Sequence, residues 1–367
     1  MIGRRSALAL PLLAVAPRAR AALPGDRAAR LRRGLNVTNW FRFPRAMSPE
    51  FFRTYVSDAE IRQFRAWGFD YIRLPVQPEL LRDGNGRFLP ERFAAVVTAV
   101  RRLQAGGLAV MVELHPHRWQ LETQEAHRRA LTATWRALAE RLAPLDPDAT
   151  FAEILNEPVF DKAPDRWQAL QAEVAAAIRA AMPRHTIIAT GHHWSNLDGL
   201  LALRPLPDPN VAYTFHYYRP MFWTTLGAAF GTRDKDAVAR IPWPQSDPEA
   251  CKNAGQTSVE QTRKQIAFHC SGKWDAARLR AEMESARNWA QRHGATVIAN
   301  EIGVSGRIAA ASREAYLHDV QAALAANDIG WALWGYEDAM GLGRQKDRRG
   351  RVTVARDVLR GLGLNLG

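Results

Sequence analysis

The sequence predicts a single (β/α)8 barrel, and three observations carry that prediction. Eight short β-rich runs alternate with amphipathic stretches, the pattern of a parallel sheet flanked by helices. No glycine-rich phosphate fingerprint follows the first run, which argues against an open dinucleotide-binding sheet. Two of the runs close on a glutamate, in Asn156-Glu157-Pro158 and in Asn300-Glu301-Ile302-Gly303. The C-terminal strand ends of such a barrel form its chemical face, so both acids are expected there.

The strands are expected at 33–38, 71–75, 108–115, 150–157, 186–191, 211–217, 296–301 and 329–334. Apolar spacing and stop signals place the helices between them. One runs 58–67 behind a Ser57 cap and stops at Gly68, and the next runs 91–104 and stops at Gly106-Gly107. Residues 121–142 stop before Pro144, 165–182 at Pro183 and 275–293 at Gly294. The fifth crossover, 196–203, is short. Residues 312–325 precede the last strand, and 354–360, stopped by Gly361, close the chain. Residues 218–273 break this rhythm. They hold both cysteines with Pro, Gly and Asn, and read as a long loop walling the active end of the barrel.

At 367 residues, 47% hydrophobic and 9% aromatic, the chain can fill one large core. A formal charge of +13 raises the question of nucleic acid. The arginines, however, are scattered along the helices, so no nucleic-acid partner is expected. Residues 1–21 read as a bacterial-type export signal, with a basic start to Arg5, an apolar run over 6–16 and a small-x-small site at Ala19-Arg20-Ala21. Arg4-Arg5 also fits twin-arginine export. The apolar run falls well short of the roughly 20 residues of a membrane span, so no stable membrane insertion is expected. Removing 1–21 takes away four arginines and no acid, leaving +9 on a catalytic domain of 22–367 in the periplasm or outside the cell. That oxidising compartment favours a disulfide between Cys251 and Cys270.

Further motifs accompany the two glutamates. Arg73 stands in Tyr-Ile-Arg-Leu-Pro, His115 in Val-Glu-Leu-His-Pro, and Asn156 beside Glu157; His216 and Tyr218 lie in Phe-His-Tyr-Tyr, and Trp334 closes the eighth run. In this order they resemble glycoside hydrolase family 5, the cellulase family, over about 34–334. The third motif departs, with Glu-Leu-His-Pro-His in place of Asp-x-His-His, and leaves the role of His117 open. The resemblance implies a secreted retaining endo-β-1,4-glycanase, an endoglucanase that cuts β-glucan by double displacement. A β-mannanase or exo-acting enzyme on the same scaffold, and a sugar-binding barrel without catalysis, are the alternatives. It also implies a monomer whose partner is a β-linked polysaccharide or oligosaccharide, with no cofactor.

The chemistry follows from the residue types. A retaining glycosidase holds two carboxyls about 5–5.5 Å apart. Glu157 is expected as acid/base, donating a proton near neutrality, and Glu301 as the nucleophile, kept ionised by Arg73. Tyr218 can donate to the same carboxylate. Asn156 suits a hydrogen bond to the sugar 2-hydroxyl, and His115 and His216 support the site. The resemblance further implies Trp334 under the sugar being cleaved and Trp194 on the leaving side. Trp40, Trp119, Trp223 and Trp243 are further stacking candidates. His115-Pro-His117 and His192-His193 invite a metal. Metal-dependent barrel hydrolases, however, place His-x-His after the first strand and Asp after the eighth. Here Asn36-Val-Thr-Asn39 and Trp334 stand there, so no metal is expected.

Overall fold

Eight strands form the frame: β1 (Arg33–Asn36), β2 (Tyr71–Val76), β3 (Ala109–Leu114), β4 (Thr150–Glu153), β5 (Thr186–Thr190), β6 (Val211–Tyr217), β7 (Thr296–Ile302) and β8 (Gly330–Leu333). Each pairs in parallel with the next and β8 pairs with β1, closing the barrel. The computed structural model describes residues 23–348 and 350–366. The expected export signal lies outside them. Helices fill the crossovers close to their expected bounds. Asp58–Trp67 is one: Ser57 accepts from the Glu60 backbone, the Glu60 carboxylate accepts from Ser57 N–H, and Gly68 at φ 102° ends it. Its Ile61, Phe64 and Trp67 pack inward with the outward faces of the strands. No helix among the described residues is long and apolar enough to cross a membrane.

Alternation along each strand divides the interior into two zones. Tyr71, Met111, Phe151, Ile188, Ala212, Ile298 and Ala332 point inward and fill the N-terminal half of the barrel. Gly34 belongs to this zone for lack of room, since a Cβ there would lie 2.3 Å from the Tyr71 ring. Two residues further along their strands, the inward positions become Arg73, Glu113 and Glu153, all buried. A dry plug below and a charged layer above set the floor of the site.

Alternation fails once. From Thr214 to His216 β6 advances two residues while β7 advances three, Ile298 to Glu301, and the β7–β8 register slips over the same stretch. This bulge lets Asn300 and Glu301 both face the barrel axis, where strict alternation would turn Glu301 toward the helices.

Residues 218–273, expected as a loop, are instead largely helical, with Met221–Thr224, Lys235–Ala239, Pro248–Ala254 and Glu260–Ser271. Asp234 caps one of these helices through Ala237 N–H, and Asp247 caps another through Glu249 and Ala250 N–H. Cys251 and Cys270 are joined by a disulfide with their Cα atoms 5.7 Å apart, tying Pro248–Ala254 to Glu260–Ser271. Trp223 and Trp243, expected as possible platforms, are buried instead. The first donates to Ile241 O at 2.8 Å, within the insertion, and the second to Asp319 at 2.8 Å, which ties the insertion to a barrel helix. The disulfide joins residues 19 positions apart, and closing a loop of that size is worth roughly 3 kcal/mol in the chain-entropy model. Reduction should therefore speed proteolytic cleavage within 218–273 and leave the barrel fragments protected, as mass spectrometry of the digest would read.

Candidate active site

Arg73 organises the charged layer. All five of its N–H groups are used. Nε and Nη2 hold Glu153 bidentately at 2.6 and 2.8 Å. Nη1 reaches Glu301 Oε1 at 2.5 Å and Asn36 Oδ1 at 3.0 Å, and Nη2 also reaches Asn156 Oδ1 at 3.0 Å. Burial works against this guanidinium, but Glu153, Glu113 and Glu301 outweigh it and hold its pKa above the ordinary value. The same burial raises the Glu153 carboxyl despite Arg73.

Glu301 sits almost wholly buried on this network. Its Oε2 accepts from Tyr218 Oη at 2.9 Å and lies 3.3 Å from His216 Nδ1. Burial pushes its carboxyl up, yet His216 and Arg73 together keep it below the usual range, so it is ionised. Tyr218 is raised by burial and by Glu301 and remains a donor. His216 Nδ1 also meets Glu157 Oε1 at 2.9 Å. Burial opposes the imidazolium, while Glu301 and Glu157 favour it, and the balance lies above the ordinary histidine value. One carboxylate oxygen from each glutamate and a ring nitrogen of His216 lie within 4.8 Å of one another. This is also the one grouping among the described residues with the donors to hold a metal ion.

Glu157 lies in the turn beyond β4 with φ 42°, in the left-handed region that costs a non-glycine residue about 1–2 kcal/mol. It is partly exposed, at the edge of a cleft of about 540 Å³ shared with Asn156, Trp119 and Trp194. His193, Trp194 and Ser195 follow β5 as three successive left-handed residues, at φ 64°, 60° and 52°. Trp194 N–H donates to Pro158 O at 3.1 Å and His216 N–H to Ser195 O at 2.7 Å, so this turn is laced to the loops on either side. Gly191 and Gly199 let it close, since a Cβ on Gly191 would lie 2.2 Å from the Gly199 carbonyl. The result is a Trp194 ring 54% exposed beside Glu157.

A profile of the cellulase family, glycosyl hydrolase family 5, matches residues 33–339. The chain belongs to glycoside hydrolase family 5. It is a glycoside hydrolase. Endoglucanase C of Acetivibrio thermocellus is 23% identical over 318 residues, covering 83% of this hydrolase and 90% of the relative. Cellodextrinase A of Ruminococcus flavefaciens is 24% identical over 209 residues, 54% of this chain and 61% of its own. Among solved structures, endoglucanase Cel5A of Thermotoga maritima superposes with a TM-score of 0.74 at 22% identity, over 93% of this chain and all of its own; it has also been solved with mannotriose.

Of the residues expected from sequence, Arg73, His115, Asn156, Glu157, His216, Tyr218, Glu301 and Trp334 gather in one network in this family 5 enzyme. Trp40 does not join it. Expected as a platform, it is completely buried, donates to Phe52 O at 2.9 Å and stacks on Phe41, because the chain after β1 folds back under Pro49–Thr54. Trp334 is 8% exposed, with His115 and the Arg42 guanidinium against its ring at 5.9 and 5.1 Å. His117 is exposed and meets Phe43 edge-on. Sequence reasoning missed Asn36, Arg42, Glu113 and Glu153. Counting inward by twos from Tyr71, Met111 and Phe151 finds Glu113 and Glu153 beside Arg73.

Proposed function

We propose that this hydrolase is an exported, monomeric, retaining endo-β-1,4-glucanase in which Glu157 is the acid/base and Glu301 the nucleophile. The close approach of the two carboxylates carries the reading, since an inverting pair stands about 6.5–9.5 Å apart to admit water. In the first step Glu301 attacks the anomeric carbon, the bond to the leaving oxygen breaks, and Glu157 gives that oxygen its proton. In the second, Glu157 takes a proton from water, which attacks the same carbon and releases Glu301. Two inversions leave the β configuration. Arg73 and Tyr218 hold the attacking carboxylate in place and accept its charge again as it departs. Trp194 supplies a flat ring to the leaving-side sugar.

The relatives' names support a glucan, and the disulfide supports an oxidising compartment. The mannotriose complex of Cel5A keeps β-mannan as the second reading. Carboxymethylcellulose and mixed-linkage glucan should lose viscosity quickly, mannan more slowly, with NMR showing β product first and with EDTA having no effect. Initial α product would remove the nucleophile assignment. Uniform short products with slow viscosity loss would replace endo action by exo action, and loss of activity with EDTA would bring the Glu157–His216–Glu301 grouping into play as a metal site.

A further inference from the structure

Glu113 takes no part in the reaction above, yet it is a fully buried acid beside the site. Its Oε1 lies 2.8 Å from His115 Nδ1, and its Oε2 has no hydrogen-bond partner among the described residues. Arg73 on β2 stands 3.6 Å away. Glu153 on β4, His216 on β6, Glu301 on β7 and Arg42 after β1 are the other charged or titratable groups facing it.

The proton positions around it follow from donor chemistry alone. Arg73 can only donate, so the oxygen of the Asn156 amide must face it. The amide nitrogen therefore faces His115 Nε2, at 3.1 Å. A nitrogen that accepts an N–H carries no proton, and the His115 proton must sit on Nδ1. Burial and Arg42 keep this imidazole well below the ordinary histidine value, so it is neutral and has one proton to place. That proton points at Glu113.

We infer that Glu113 is a positioning residue that fixes His115 in its Nδ1–H tautomer and thereby holds the Asn156 amide with its remaining N–H free for the 2-hydroxyl of the sugar under attack. The inference rests on the proposed role of Asn156 beside the acid/base. Burial lifts the Glu113 carboxyl to about 7, against Arg73 and with Glu301 adding to the rise. In both protonation states Oε1 can accept from His115, and the ionised form accepts more strongly. A leucine offers no acceptor. It would strand the Nδ1 proton or drive it to Nε2, where it would oppose the Asn156 amide.

The test uses His115 first and the reaction second. Long-range 1H–15N spectra of the wild-type protein should show a protonated Nδ1 and a bare Nε2. E113Q, which keeps a carbonyl acceptor, should show the same, whereas E113L should lose the pattern. On mixed-linkage glucan, E113L should lower kcat about 10- to 100-fold, the scale of a misplaced reacting group, with KM changed less than about threefold. E113Q should recover most of that kcat. The His115 ring shifts should move with a midpoint near pH 7 in the wild type and not in E113Q. A wild-type spectrum with the proton on Nε2 would overturn the inference without touching the glycanase reading, as would wild-type kcat in E113L. Should E113L not fold, the wild-type spectrum and the E113Q titration still decide it. An α product from the wild-type enzyme would instead sink the reading of the carboxylate pair while leaving the tautomer result standing.

Discussion

Glu301→Gln should lower kcat on mixed-linkage glucan by on the order of 10⁴-fold or more, the scale seen when an enzyme loses its nucleophile. Glu157→Gln should cost about 10²- to 10⁴-fold, the range of a lost general acid. Both amides are close in shape to the carboxyls they replace, so circular dichroism and the unfolding midpoint should change little. A Glu301→Gly variant leaves a vacancy between Arg73, Tyr218 and His216, three donors already converging on one anion. Azide should enter it and yield an α-glycosyl azide. A β-azide product would place the nucleophile elsewhere.

Arg73→Met should cost about 3–5 kcal/mol of stability, the price of leaving buried charges without their partner. The change strips donors from Glu153 and Glu301 and removes the nearest cation to Glu113. The deficit should depend on pH. Without Arg73 the Glu113 and Glu153 carboxyls would be raised further above their unfolded values, and Glu301 would lose one of the cations that hold it below its own. Protonation would then relieve the penalty in acid, and the penalty would grow as pH rises from about 5 to 8. Denaturant melts of both proteins at several pH values would check this. A deficit that shrinks toward pH 8 would mean that the acids find another cation. Arg73→Lys keeps the charge but cannot fork onto Glu153 while reaching Asn36, Asn156 and Glu301, so it should recover only part of the loss.

The barrel was legible because its signals are local. Apolar runs, the Ser57 cap and the glycine stops each occupy a few residues, and the two glutamates stood at run ends where the fold puts chemistry. What escaped the sequence depends on relations across strands. The β7 bulge that turns Glu301 inward is a mismatch between three strands, invisible in any one of them. Glu113 and Glu153 were hidden inside runs read as apolar strands, and only the Arg73 side chain between them explains why charge is tolerated there. Trp40 was misread because position after a strand does not tell whether the following chain folds over it. The helices of 218–273 had signals, Asp234 and Asp247-Pro248, but they are short and weakly amphipathic, and the glycines and prolines around them outweighed the caps.

The left-handed turn at 193–195 has an evolutionary consequence. Each of its residues pays for a backbone shape that glycine adopts freely, and Ser195 buries a hydroxyl that meets no partner among the described residues. A lineage selected for heat would gain by placing glycine at 193 or 195. A lineage selected for its grip on the polymer would resist that change, because a looser turn would let the Trp194 ring wander from Glu157. Related enzymes should therefore divide at these two positions by habitat, and, if Trp194 meets the leaving-side sugar as proposed, the indole between them should change with that sugar.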